Sequence, residues 1–562
     1  MKLHLPKLLA LALLSAMCAG VAYASDPEIN KVDKLITDSL PTDTTIDTTG
    51  GYVIAKDGTD IINVTSDKEV TGSLYVREGG VNVKDATLSV APGSGNVTVG
   101  TLNVAGKNSS VTLDNAKLYG ANIGCIYVGG LDGNGSLIVD NKSLLNCELN
   151  AKGEFETVGG DRSSNTFTIG VSEIDLSASP QGSTKNADTS EAYSGTYSDA
   201  KNGSDNKFGR GDVVVSGGSK MLTAFNSTYI GEGTLKVDGE GSYVQMGHES
   251  GTYSGFRVLM GVGKNTTSEL IITNGGDVQV YGSEDFATNW NDDTTSNISV
   301  DGQGTTLNVQ VSNTKAASIG SSGKGTLTNI DVTNKGVFNL AAGQILLSEE
   351  RSGNVVNINV EKESTLDMDS NSTHMYEGTT ITNEGTINID TNPSQAFYMF
   401  GGEIINKADG VIKARDLYAY ARDNGYDKDV TRRIVNDGTY EVIAEFYIAQ
   451  SEFINNGTMK GHVMMRSGAQ LTNGGTITDS VDLYGKDAVL TATDGSTQGK
   501  VFMSRGAYVV DGNVTMTGDL TEYKRADDEV DAQLVFTEDG HLDMSGNSVK
   551  LGAVTLVLQK DG

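Results

Sequence analysis

The sequence predicts an all-β chain wound as a parallel β-solenoid. One phrase keeps returning: Thr382-Asn383-Glu384-Gly385-Thr386-Ile387, Val435-Asn436-Asp437-Gly438-Thr439-Tyr440, Ile454-Asn455-Asn456-Gly457-Thr458-Met459 and Thr472-Asn473-Gly474-Gly475-Thr476-Ile477, with an expanded copy at Ile405-Asn406-Lys407-Ala408-Asp409-Gly410. Alternation follows each copy, as in Ile387 and Ile389 against Thr386, Asn388 and Asp390, which is the period of a half-buried strand. The asparagines at 436, 455 and 473 recur at 19 and 18 residues, about one coil of a solenoid whose coils bury their apolar faces against one another. A Greek-key sandwich with fortuitous turns is the competing reading.

The phrase itself suggests a turn. Asn tolerates the left-handed backbone region and Gly enters it freely, so Asn-x-Gly is expected to reverse a strand there. Stacked asparagines can hydrogen-bond along the axis as a ladder. Looser copies stand at Thr273-Asn274-Gly275-Gly276 and Thr333-Asn334-Lys335-Gly336.

Composition agrees. The 562 residues include Gly 70 but Pro 6, which suits tight turns between strands that keep their backbone donors. A formal charge of −30 favours solubility and excludes nucleic acid as a partner. The acidic residues are scattered, as on a solvated surface rather than in an ion site, and no cofactor is expected.

In chain order, residues 1–24 read as a secretory signal: Lys2 and Lys7, an apolar run over 8–19, and Ala22-Tyr23-Ala24 before Ser25 as the small-x-small cleavage site. Met17 before Cys18 does not suit a lipoprotein box. Residues 25–50 are a polar lead-in with weak structure, and 51–562 the solenoid. Cys125 and Cys147 lie 22 residues apart, about one coil; they either pair as a disulfide in an exported protein or are two small buried side chains. Residues 177–211, 282–297 (with Trp290 beside Asp292 and Asp293) and 421–431 read as polar insertions, either protruding loops that bind or tolerated extrusions. Residues 499–562 keep strands as C-terminal coils.

A second phrase occupies the middle of the chain. Val128-Gly129-Gly130 and Gly133-Asn134-Gly135-Ser136-Leu137 match Ile230-Gly231-Glu232-Gly233-Thr234-Leu235, and Val237-Asp238-Gly239-Glu240-Gly241-Ser242 matches Val300-Asp301-Gly302-Gln303-Gly304-Thr305. Residues 210–340 thus carry a super-repeat of about 60, expected to span three coils.

These glycine-rich phrases, with the Asn-x-Gly-Thr set, resemble the passenger repeats of autotransporters (type V secretion), over about residues 120–500. The resemblance implies a right-handed parallel β-helix displayed on, or released from, a Gram-negative outer membrane, often as an adhesin. Its partner would be a host or cell-surface protein or glycan. Such proteins end in a membrane barrel of alternating strands, whereas this chain runs out at Leu556-Val557-Leu558-Gln559-Lys560-Asp561-Gly562. The sequence is then a fragment with its barrel in cis, a cargo of a separate partner, or not an autotransporter; the first is expected.

No chemistry is assigned. Neither Gly-Asp-Ser-Gly nor Gly-x-Ser-x-Gly occurs, and His248, His374, His462 and His541 lack partners at a recognisable spacing. A solenoid can assemble a site from distant coils, so a polysaccharide lyase or hydrolase is the enzyme alternative, and a periplasmic or matrix scaffold is another. Arg210-Gly211-Asp212 reads as chance in a chain this rich in Gly and Asp, and the glycine-aspartate run 129–134, which stands alone rather than in tandem, reads as a turn.

Overall fold

The computed structural model describes residues 33–36, 51–55, 61–71, 74–91, 100–119, 123–129, 134–147, 166–171, 209–223, 227–247, 256–283, 285–320, 322–349, 352–421, 430–524 and 530–559. The signal segment, the core of the 177–211 insertion and residues 422–429 lie outside them. Every regular element among the described residues is a β-strand. The chain divides into two compact units, 1–312 with 322–328, and 313–321 with 329–562.

Over residues 135–287 of the first unit each coil gives one strand to each of three columns, whereas the earlier strand Gly100–Asp114 runs through the third and the first. The first column stacks Gly135–Asp140, Gly211–Ser216, Gly233–Asp238, Thr267–Thr273 and Thr295–Asp301, all parallel. The second stacks Leu144–Asn146, Lys220–Thr223, Tyr243–Met246 and Asp277–Ser283. The third stacks Thr166–Ile169, Ser227–Ile230, Arg257–Met260 and Asp285–Ala287. This is a parallel β-helix. Alternation decides which side chains go inside: Leu137 and Val139, Val213 and Val215, Leu235 and Val237, Leu270 and Ile272 are buried in register over one another. No strand could bury that face alone, so the stack itself is the core.

The second unit repeats the plan. Its first column holds Val355–Val360, Thr379–Asn383, Gly402–Asn406, Arg432–Asn436, Glu452–Asn455 and Gln470–Asn473. Longer strands such as Thr365–Met375, Thr439–Ile448 and Thr458–Met465 bend through the second and third columns.

The asparagine ladder forms. Asn383, Asn406, Asn436, Asn455 and Asn473 end successive first-column strands and are fully buried. Each Nδ2 donates to the next Oδ1, at 2.8, 2.7, 2.7 and 2.8 Å. The turn chemistry differs from expectation. None of these asparagines, nor Gly385, Gly410, Gly438, Gly457 or Gly475, has a positive φ. Glycine is required for space instead: a Cβ on Gly457 would stand 2.2 Å from the Gly438 carbonyl oxygen, and one on Gly475 2.1 Å from that of Gly457. The looser copies are a different corner, in which Asn274 and Asn334 do enter the left-handed region.

Three further expectations change. Val237, Ile272 and Val300 stand opposite one another, so the 63-residue repeat covers two coils, not three; coils here are longer than the 19- and 18-residue coils that separate Asn436, Asn455 and Asn473. The insertion expected at 282–297 is regular wall over its described residues. Asp285–Ala287 is a strand and Trp290 packs on Val171, Tyr229, Leu259, Val262 and Ala287. Polar sequence misled there because Thr288, Asn289 and Thr294 are buried and hydrogen-bonded. The lead-in carries a strand, Asp33–Ile36, parallel to Gly51–Ala55.

Candidate functional site

The third column of the second unit turns one row of side chains inward (Met375, Met399, Ala419, Ile448, Met465, Leu483, Met503) and its neighbours outward. Register aligns the outward row as His374, Tyr398, Tyr418, Tyr447, Met464, Asp482 and Phe502. Two residues further along the coils come Tyr376, Phe400, Tyr420, Arg466, Tyr484 and Tyr523. Together they form an aromatic stripe across successive coils.

The rings touch. Tyr398 and Tyr418 stack at 5.3 Å between centroids, Tyr398 and Phe400 at 5.9 Å, and His374 meets Tyr398 edge-on at 5.2 Å. Where the aromatic row would break, the Arg466 guanidinium stands 5.5 Å from the Tyr447 centroid and 4.9 Å from that of Tyr484. Much ring face is therefore spent on neighbouring coils, which stabilises the stack. Apart from Phe400 and Asp482, which are buried, and Tyr523, which is exposed, the stripe is half-buried. The Tyr418 hydroxyl donates to Glu445 Oε2 at 3.0 Å. Burial and that carboxylate hold the Tyr418 phenol well above its ordinary pKa, so it stays a donor.

Beside the stripe lies a polar cluster. Glu445 stands opposite His462 on the next coil, and His462 in turn contacts Ser480 and Asp482 on the coil after. His462 Nδ1 is 2.5 Å from Ser480 Oγ, and Nε2 is 3.4 Å from Asp482 Oδ2. The hydrogen bond to Asp482 raises the histidine pKa, desolvation opposes it, and the Asp482, Asp479 and Glu445 charges add to the rise. A serine, an imidazole and a carboxylate in that order are the elements of nucleophilic catalysis.

The residues singled out in the sequence sit elsewhere. Ala22, Ala24 and Ser25 lie outside the described residues. Cys125 falls in the third-column strand Ile123–Val128, opposite Thr101 and Thr166, whereas Cys147 is buried just after the second-column strand Leu144–Asn146. The 22-residue spacing therefore does not stack them, because coils here are longer than that; the Cys125 side chain is outside the described residues. Arg210-Gly211-Asp212 is part of the wall. Arg210 Nε bonds Asp212 Oδ1 at 3.0 Å, and its Nη2 bonds Glu269 and Thr234, so the tripeptide is engaged internally. Among the described residues no group of three potential metal ligands gathers.

No family model matches the chain, and no significant match to a curated protein is found.

Proposed function

We propose that this is an exported β-helical passenger of a Gram-negative bacterium, displayed on or released from the outer membrane, that binds a host surface, extracellular matrix or other cells. The observation that supports it best is the aromatic stripe of the second unit. Half-buried tyrosines offer broad amphipathic contact at little conformational-entropy cost. Repetition along the coils lets weak contacts add through avidity. The signal segment and the autotransporter-like repeats supply the export route, and with it a barrel in cis and the right-handed sense of the helix. The charge of −30 argues against anionic membranes and nucleic acid as partners.

The test is binding of the purified chain to cultured epithelial monolayers and to collagen-coated plates, together with sedimentation of producing cells. Saturable binding to either surface, or aggregation that the purified chain competes away, supports the reading. A Tyr398→Ser/Tyr447→Ser variant with the wild-type circular dichroism spectrum should bind at least about tenfold more weakly, a loss of ~1.4 kcal/mol. Wild-type binding in the variant removes the stripe from the account, and no binding or aggregation by the wild type removes the adhesive function.

A further inference from the structure

We propose that Ser480, His462 and Asp482 form a working nucleophile, general base and positioning carboxylate that cleave carboxylic esters on the outer face of the second unit. This goes beyond the binding role and does not depend on it. Stacking creates the arrangement. Val463 stands opposite Val481, which sets His462 over Ser480, and Asp482 occupies the outward position that Tyr447 and Met464 hold on the two preceding coils. Ser480 and Asp482 are two residues apart on one strand, so both point outward and straddle the same imidazole.

The contacts define the roles. His462 Nδ1, 2.5 Å from Ser480 Oγ, accepts the hydroxyl proton. Nε2–H faces Asp482 Oδ2 at 3.4 Å, which selects that tautomer and favours the imidazolium that forms later. Asp482 is well shielded, with its side chain 11 % exposed, whereas His462 is 35 % exposed. Asp482 Oδ1 is buried with no hydrogen-bond partner. A carboxylate held with one oxygen unsatisfied is costly as mere structure, and it strengthens the field on the ring beside it.

The surroundings describe the substrate. Lys500 stands opposite Ser480 on the following coil, on the outward face, where an ammonium can meet a developing oxyanion. Met464 and Phe502 flank Asp482 as an apolar shelf for an acyl or alkoxy group. Glu445 and Asp479 make the approach acidic and disfavour anionic esters. The fitting class is a neutral ester with a small acyl group.

In the reaction Ser480 Oγ forms a bond to the ester carbonyl carbon as its proton passes to His462 Nδ1. The tetrahedral intermediate expels the alcohol, which leaves with that proton, and the acyl group remains on Ser480. Water then adds to the acyl carbon, giving its proton to His462. The carboxylic acid departs as Ser480 recovers its hydrogen. Water is the only co-reactant.

The experiment uses the full chain, a fluorophosphonate probe with peptide mapping, and hydrolysis of p-nitrophenyl acetate. The expected result is one adduct, on the peptide holding Ser480, absent after heat unfolding and absent in Ser480→Ala. His462→Gln should lower hydrolysis by at least about a hundredfold. The pH profile should rise through a value above ordinary histidine, and Asp482→Asn should move that inflection down, which a purely structural contact would not do. Glu445, Asp479 and Lys500 are unchanged in that comparison. Absence of an adduct on folded wild type, or an adduct elsewhere, overturns the proposal whatever the variants do. It would leave the adhesive reading standing, since cell binding is scored separately.

Discussion

Truncating Asn436 to alanine tests the ladder where it is most interlocked. Asn436 accepts from Asn406 Nδ2 and donates to Asn455 Oδ1 at 2.7 Å and to the Thr458 carbonyl at 3.1 Å. Without it Asn406 Nδ2 still reaches the Gly410 and Thr439 carbonyls. Asn455 Oδ1 keeps no donor, in a fully buried position. Such an orphaned group costs about 1–3 kcal/mol, and the other lost bonds add roughly 1 kcal/mol each. With two other bonds lost, the total is about 3–5 kcal/mol, or roughly a hundred- to several-thousandfold in a local opening equilibrium. Native-state hydrogen exchange over 436–458 reads that directly and needs no global two-state transition. The ladder has a direction, so its end should matter less. Asn473→Ala removes the 2.8 Å bond it accepts from Asn455 Nδ2, a 3.1 Å bond to Thr497 and a long 3.4 Å one to Gln498, for about 2–3 kcal/mol. Equal effects at 436 and 473, or an Asn436→Ala effect below about threefold, would refute the reasoning.

Gly457→Ala drives a methyl into the Gly438 carbonyl oxygen and should cost about 2–3 kcal/mol or abolish folded protein; an unchanged denaturation midpoint would show that the corner can relax. Tyr440 is fully buried with no partner for its hydroxyl, packed on Phe446 and Phe453. Tyr440→Phe should therefore leave the thermal midpoint equal or raised, by up to ~1 kcal/mol of stability, and a clear fall would reveal a hidden acceptor. Asp390 is pushed up to about 6 by burial, against hydrogen bonds from Thr373 and Ser370 that pull it down. A raised carboxyl means the folded state holds the proton more tightly. Its contribution is full below about 3.8 and is lost as pH rises through about 6. Relative to Asp390→Asn, the wild type should lose about 3 kcal/mol between those limits, and a pH-independent difference would contradict the assignment.

The ladder was legible because its signal lies in one strand end and one corner, repeated with little change. Its glycines were legible as residues but not as causes: sequence cannot tell a left-handed turn from a carbonyl pressed against the next coil. The 282–297 segment has the polarity of a loop because its buried threonines and asparagines hydrogen-bond inside the wall, Thr294 to Asn289, and Thr288 and Asn289 to Thr328. The stripe did leave a trace, in the aromatic-x-aromatic triplets His374-Met375-Tyr376, Tyr398-Met399-Phe400 and Tyr418-Ala419-Tyr420. Their spacing varies with corner length, which hides them from a fixed-period search. The Ser480–His462–Asp482 cluster left none. Its 18-residue separation is a coil length, and nothing in the chain marks which coil-spaced residues face outward together.

Display at the cell surface is the claim on which the binding account rests, and proteinase treatment of intact producing cells tests it most directly. An antibody to residues 381–477 should lose its immunoblot signal after treatment, while a periplasmic marker survives. Signal that persists in intact cells and disappears only once the outer membrane is permeabilised would contradict display and place the chain in the periplasm.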